Sequence, residues 1–271
     1  AADLDSNGWP PTARDWALRE MRKGFPLHIN GDQHLGAVLH HGLDDWSDSN
    51  FSFSVPSIVN FYRRWWLPLE PDREIRTRLE QPVREAPDEE INDHTQQDAS
   101  EEVLEHTGRY VDGFGNRITM IAYANPDPSR RRYDRWRAQA AGYGLIRFNK
   151  RTREMTLECW PRGCDVTSPQ CEQYPGWPVT ITQEDNYGRQ PLAYLPTLEF
   201  VDREDPVVQV IREDVNEVVY TLRVNGTSYQ PRVFEQGLYT IRVGEEDAFR
   251  VFEGIQPLEP GESATMEVRL D

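Results

Sequence analysis

From residue 191 to its end the chain settles into one rhythm, and that rhythm restricts its fold most. The stretches 207–211, 218–224, 237–243 and 264–270 are rich in Val, Ile, Leu, Tyr and Thr, with Pro, Gly, Asn and Asp between them. Branched and aromatic side chains fit a pleated, half-buried surface, so each stretch reads as a short strand. Asn225-Gly226 is a hairpin-turn signal, because both residues tolerate positive φ. Regular short strands with turns between them predict a small, antiparallel, all-β sandwich of the Ig-like kind over 191–271.

The first half is more varied. Pro10-Pro11-Thr12 opens a helix, since proline is tolerated in the first turn and its fixed φ is already helical. Ala13, Trp16, Ala17 and Met21 form its apolar stripe, and Gly24 caps it. Over 25–30, Phe25, Leu27 and Ile29 alternate with Pro26, His28 and Asn30, the pattern of a strand with one buried face. That strand ends on Gly31-Asp32-Gln33-His34, where a carboxylate and an imidazole two positions apart can converge on one point. A hard oxygen ligand beside an imidazole suits a divalent or trivalent metal ion. Further strands are expected at 37–41, 51–55, 116–124, 145–148 and 155–160.

Residues 69–108 are dense in Glu, Asp, Arg and Gln and read as an acidic, solvated insertion with one short helix near 99–106. Within it, Ile91-Asn92-Asp93-His94 is a metal-like tetrapeptide in scrambled order, set in a charged run. A basic turn at 129–137, with Arg130, Arg131, Arg132, Arg135 and Arg137 and later Arg147, either holds an anion or pairs with the chain's own acids. The expected organisation is therefore 1–68, 69–108, 109–190 and 191–271.

Thirty basic against 46 acidic residues give a net charge of −16. That field repels nucleic acid and anionic membranes. It also repels a phosphate ester unless metal ions or arginines reverse the sign locally. No apolar run approaches the ~18 residues needed to span a bilayer. The three cysteines, Cys159, Cys164 and Cys171, have no zinc-type spacing. Cys164 and Cys171 flank a short loop and read as a disulfide, which fits an oxidising compartment. Cys159, inside a strand-like run, reads as a buried free thiol.

Several stretches together resemble the PhoD-like metallophosphoesterases, secreted alkaline phosphatases and phosphodiesterases. They are Asp5-Ser6-Asn7-Gly8-Trp9-Pro10, Gly31-Asp32-Gln33-His34-Leu35, Ser54-Val55-Pro56-Ser57-Ile58-Val59-Asn60 and Arg63-Arg64-Trp65-Trp66. The likeness continues through Asp112-Gly113-Phe114-Gly115-Asn116-Arg117, Glu158-Cys159-Trp160-Pro161-Arg162, Pro175-Gly176-Trp177-Pro178 and Gln183-Glu184-Asp185-Asn186-Tyr187-Gly188-Arg189. It covers nearly the whole chain, and corresponds to the C-terminal part of such an enzyme.

The resemblance implies an α+β fold for the first half, the C-terminal part of a metallophosphoesterase α/β sandwich, followed by the small β-sandwich. It implies metal-ligand roles for Asp32 and His34, with Asp5, or else Asp3, as a further ligand; a helix-capping carboxylate is the competing reading of Asp5. It implies iron together with calcium, phosphate ester as substrate, and a secreted, periplasmic or extracellular location. His40 and His41 are the catalytic candidates, only one of which can face the site on an alternating strand. Arg63 and Arg64 either clamp a phosphate or pair with the acidic loop 44–48. The remaining ligands are expected from an N-terminal half or a companion chain, so this chain alone is expected to be inactive. The second reading is a non-catalytic structural or binding subunit that assembles through its β-rich domains, including as a homo-oligomer.

Overall fold

The computed structural model describes residues 11–31, 34–58, 66, 107–112, 114–125, 140–245 and 248–270. The expected helix near 99–106, the tetrapeptide at 91–94 and the basic turn at 129–137 lie outside the described residues. Among the described residues the protein is β-rich: one α-helix and one 3-10 turn accompany seventeen strands.

Helix α1 (Pro11–Met21) runs into the 3-10 turn Arg22–Gly24. Its buried line is Leu18 and Arg22, whereas Trp16 is 67% exposed. The expected stripe through Trp16 is therefore wrong. Arginine stems cover apolar surface as well as leucine does, and a stripe counted only in apolar residues misses them. The left-handed residue that ends the turn is Phe25, at φ 52°, and not Gly24. This turns the Phe25 ring away from the strand that follows. It packs instead against Tyr187 and Tyr220, 5.0 and 5.6 Å away between ring centres. The strand expected over 25–30 consequently shrinks to β1 (His28–Asn30), where Ile29 is 51% exposed.

A five-stranded sheet has the order β1-β3-β2-β5-β4, with β2 Gly36–His41, β3 Phe51–Ser54, β4 Gly108–Val111 and β5 Arg117–Ala124. Strand β1 pairs parallel with β3, while β2 pairs antiparallel with β3 and with β5. One face, through Val38, Phe51, Phe53, Ala122 and Ala124, shares a core with Met155, Leu157, Cys159 and Ile181. Those four belong to a second sheet of order β6-β7-β8 (Gly142–Asn149, Glu154–Pro161, Val179–Thr182). The opposite face gathers Leu35, Ala37, Ile118, Met120, Tyr123 and Trp66. Cys164 and Cys171 are joined as a disulfide beyond β7, and Cys159 is buried with its thiol free.

The C-terminal sandwich comprises a four-stranded sheet of order β12-β11-β15-β16 and a three-stranded sheet of order β13-β10-β17, with the small pair β9-β14 beside them. These strands are β9 Ala193–Tyr194, β10 Thr197–Phe200, β11 Val207–Arg212, β12 Glu217–Arg223, β13 Ser228–Tyr229, β14 Arg232–Val233, β15 Tyr239–Glu245, β16 Ala248–Ile255 and β17 Thr265–Val268. Val208 and Val210, Tyr220 and Leu222, and Ile241 and Val243 occupy alternate positions and fill one core. Each full burial of such a side chain contributes roughly 1.5–3 kcal/mol.

Two expectations change here. Asn225-Gly226 joins no hairpin, because β12 pairs with β11 while β13 pairs with β10 in the other sheet. Gly226, at φ 95°, instead carries the chain from one sheet to the other, held by Asp205. Nor is the sandwich wholly antiparallel: β17 runs parallel to β10.

Asn186 fastens the two halves. Its side chain is fully buried, its amide oxygen accepts from Phe51 N (2.6 Å), and its amide nitrogen donates to Phe25 O (2.8 Å). The neighbouring Gly188 has φ 64°, and a Cβ there would lie 1.8 Å from Ser47 O and 2.6 Å from His40 Cε1. Only glycine fits that approach.

Candidate functional site

Alternation in β1, β2 and β3 places a group of polar residues on the same face as the Leu35, Ala37 and Met120 cluster. In register, His28 lies beside Ser52 and Asn30 beside Ser54, while Leu39 pairs with Ser52 and Ala37 with Ser54. Successive side chains alternate faces, so His28, Asn30, Ser52, Ser54 and His41 share one side. The 3.0 Å contact between His41 Nε2 and Ser52 Oγ confirms the sidedness.

This face is unusual in what it leaves unmade. Asn30 Oδ1, Ser54 Oγ and His41 Nδ1 are buried and have no hydrogen-bond partner among the described residues. A buried polar atom without a partner costs about 1–3 kcal/mol. Asn30 and Ser54 are paired at the ends of β1 and β3, beside Ala37, so their two atoms mark one place for a bound group; His41 lies four residues further along β2, toward the opposite end of the sheet.

His34 follows directly. It is 9% exposed and takes φ 53°, a left-handed conformation uncommon outside glycine. It sits between the end of β1 and the start of β2, next to Leu35 in the sheet's own core. Asp32, Asp5, Arg63 and Arg64 lie outside the described residues, so the structure places only His34 of the expected metal ligands. Among the described residues no three His, Cys, Asp or Glu side chains gather as a metal-binding group.

The two adjacent histidines part company. His40 faces the inter-sheet core, stacks on Phe51 at 3.8 Å and donates from Nε2 to Ser49 O at 2.8 Å. Burial lowers its pKa, opposed by that hydrogen bond. His41 faces the polar side. Burial, helped by Arg14, His28 and His40, pushes its pKa down to about 3. A neutral imidazole is the form that ligates metal or accepts a proton. His41 leaves Nδ1 without a partner among the described residues, whereas the His40 ring is committed to Ser49 and Phe51; both lie toward the end of β2 away from His34.

The basic readings resolve less richly. Arg147 pairs with Glu158, whose carboxylate also accepts from Trp160 Nε1. Acidic loop 43–48 is organised by Asp48, which accepts from the backbone N–H groups of Leu43, Asp44 and Asp45. Asp44 is held by Arg19 from the helix. Asn30 and Ser54 escaped the sequence reading; their signal was the polar alternation Ser52, Ser54 opposite His28, Asn30.

Family models, curated proteins and solved structures were all compared with the chain, and none matches it.

Proposed function

We propose that the chain is part of a secreted, metal-dependent phosphoesterase, contributing Asp32 and His34 to a metal centre completed by N-terminal sequence or by a companion chain. The observation that carries this reading is the pair of buried ligand atoms, Asn30 Oδ1 and Ser54 Oγ, unpartnered among the described residues, at the strand end that leads into His34. Neutral oxygen donors next to a carboxylate-imidazole motif suit a mixed site such as iron with calcium. Bound there, the metal would neutralise phosphate oxygens and generate hydroxide from water. The chain's own residues would hold that ion, Asp32 and His34 as ligands with Asn30 and Ser54 beside them. The disulfide between Cys164 and Cys171 fits a secreted setting. The likeness of the first half to a metallophosphoesterase core, and of the sandwich to an Ig-like domain, belongs to the same proposal.

The test is elemental analysis of natively purified protein, together with hydrolysis of p-nitrophenyl phosphate and bis(p-nitrophenyl) phosphate. Bound iron and calcium with activity, both lost in His34→Ala, support the reading. Metal-free protein with no turnover in the presence of its natural companion sequence overturns it and leaves a structural or binding subunit.

A further inference from the structure

We infer that a small basic pocket between the helix end and the sandwich binds a phosphate-type tetrahedral oxyanion. Arg19, Arg22 and Lys23 approach it from α1 and the 3-10 turn, Arg189 from the loop after β8, and Arg212 from the end of β11. Its volume is about 180 Å³. Five cations converge there in a chain whose net charge is −16, against two carboxylates on the same wall, Glu217 and Glu235.

The decisive member is Arg22. It is 9% exposed, yet among the described residues its one hydrogen bond is a long 3.5 Å contact to Asp44. Asp44 already receives a two-pronged contact from Arg19, at 2.7 and 3.1 Å. Asp48, 3.9 Å from Arg22, has its oxygens engaged by three backbone N–H groups. A guanidinium has five N–H donors in a fixed fork. Arg22 therefore brings a buried charge and unused donors to the pocket wall.

The other cations are better served, and their partners show what the pocket favours. Lys23 pairs with Glu20 and Glu217. Arg189 and Arg212 close on a single carboxylate, Glu235, and Arg189 also lies 4.6 Å over the Phe234 ring. Two guanidiniums around one carboxylate are already an oxyanion clamp. Glu235 is half exposed and can swing aside for a ligand that also reaches Arg22. Forked donors arranged around a small volume match a tetrahedral phosphate better than a spherical halide. The pocket shares no residue with the histidine-bearing sheet face, so this inference does not rest on the phosphoesterase reading.

The experiment is calorimetric titration of the full, EDTA-treated chain with sodium phosphate, against sodium chloride at equal ionic strength. Metal removal keeps any metal-centre binding out of the signal. Saturable phosphate binding that weakens at least tenfold in Arg22→Gln supports the site, with the exposed Arg203→Gln variant unchanged. If Arg22→Gln fails to fold by circular dichroism, Arg189→Gln decides by the same tenfold criterion. Glycerol phosphate binding as tightly as inorganic phosphate identifies the phosphoryl group of an ester as the ligand; its failure beside a positive phosphate result identifies free phosphate. Absence of saturable binding above the chloride control, or binding indifferent to both arginine substitutions, overturns the proposal.

Discussion

In the C-terminal sandwich the inward positions of β11, β12 and β15 are apolar or are tyrosines with hydrogen-bonded hydroxyls, Tyr220 bridging to Arg232 and Tyr229. One face of the five-stranded sheet instead carries His28, Asn30, His41, Ser52 and Ser54, and three of their buried atoms go unpartnered among the described residues. Both regions use the same alternation of strand faces. The sandwich spends it on a dry core, where burial adds to stability. That face of the sheet spends it on a mixture, the Leu35, Ala37 and Met120 cluster beside polar groups that cost stability unless something binds them. The difference marks that face of the sheet as the place where a bound group would add stability.

That contrast can be broken in four ways, beginning with the largest effect. Tyr220→Ala removes the fully buried ring at the centre of the sandwich and should cost about 4 kcal/mol. Urea unfolding monitored by circular dichroism gives the value, and a loss below about 1 kcal/mol would mean the sandwich core is not as closed as described. Next comes acid. The His41 pKa is lowered in the fold from 6.5 to about 3. An unfolded imidazole takes up a proton as pH falls through about 6.5, while the folded one resists until about 3. Stability is therefore complete above 6.5 and lost between 6.5 and 3, by on the order of 4 kcal/mol. His40, also lowered, adds to the same window in the same direction. His41→Gln should flatten the profile of unfolding free energy against pH; an unchanged slope would show that His41 is not the responsible group.

Asn186→Ala strips partners from two buried backbone groups, Phe51 N and Phe25 O, and should cost roughly 2–3 kcal/mol. Because it fastens the halves, the transition should also split in two when followed by hydrogen exchange. A single, undivided transition would argue that the sandwich holds Phe25 without help. The smallest effect has the opposite sign. Ser54→Ala deletes a buried hydroxyl with no partner among the described residues and should leave stability unchanged or raise it by about 1 kcal/mol. If the proposed metal centre is occupied, the same substitution lowers metal retention; marked destabilisation of the metal-free protein would show that the hydroxyl is satisfied after all.

Local pattern was enough for the strands that bury their neighbours' side chains nearby. Sequences 37–41, 51–55, 116–124 and 155–160 alternate or are continuously apolar, and become β2, β3, β5 and β7. Where a residue's partner lies far along the chain, pattern misled. Phe25 looked like the first residue of a strand, yet its ring belongs to a core built by Tyr187 and Tyr220. Asn225-Gly226 has the chemistry of a hairpin, but the strands on either side bond into different sheets. Strand β16 was unseen because Phe249 and Val251 point outward while Arg250 interrupts its apolar run.

The candidate site was legible in outline and not in detail. His34 was visible from its motif, and strand alternation limited His40 and His41 to one apiece per face. Which histidine keeps an uncommitted ring nitrogen depended on Phe51 and Ser49 engaging His40, contacts that arise only when β2, β3 and the turn between them come together. No local pattern marks Arg22; that it is buried with spare donors emerges only from the packing of the sandwich against the 3-10 turn.

The free thiol of Cys159 offers the protein an internal clock. It is fully buried between the two sheets of the first half, its pKa raised by that burial, and it is the one cysteine outside the disulfide. An alkylating reagent can reach it only when those sheets part. The rate of its modification therefore times the opening of the histidine-bearing half, without a label or an engineered probe, while the sandwich beyond residue 191 stays silent.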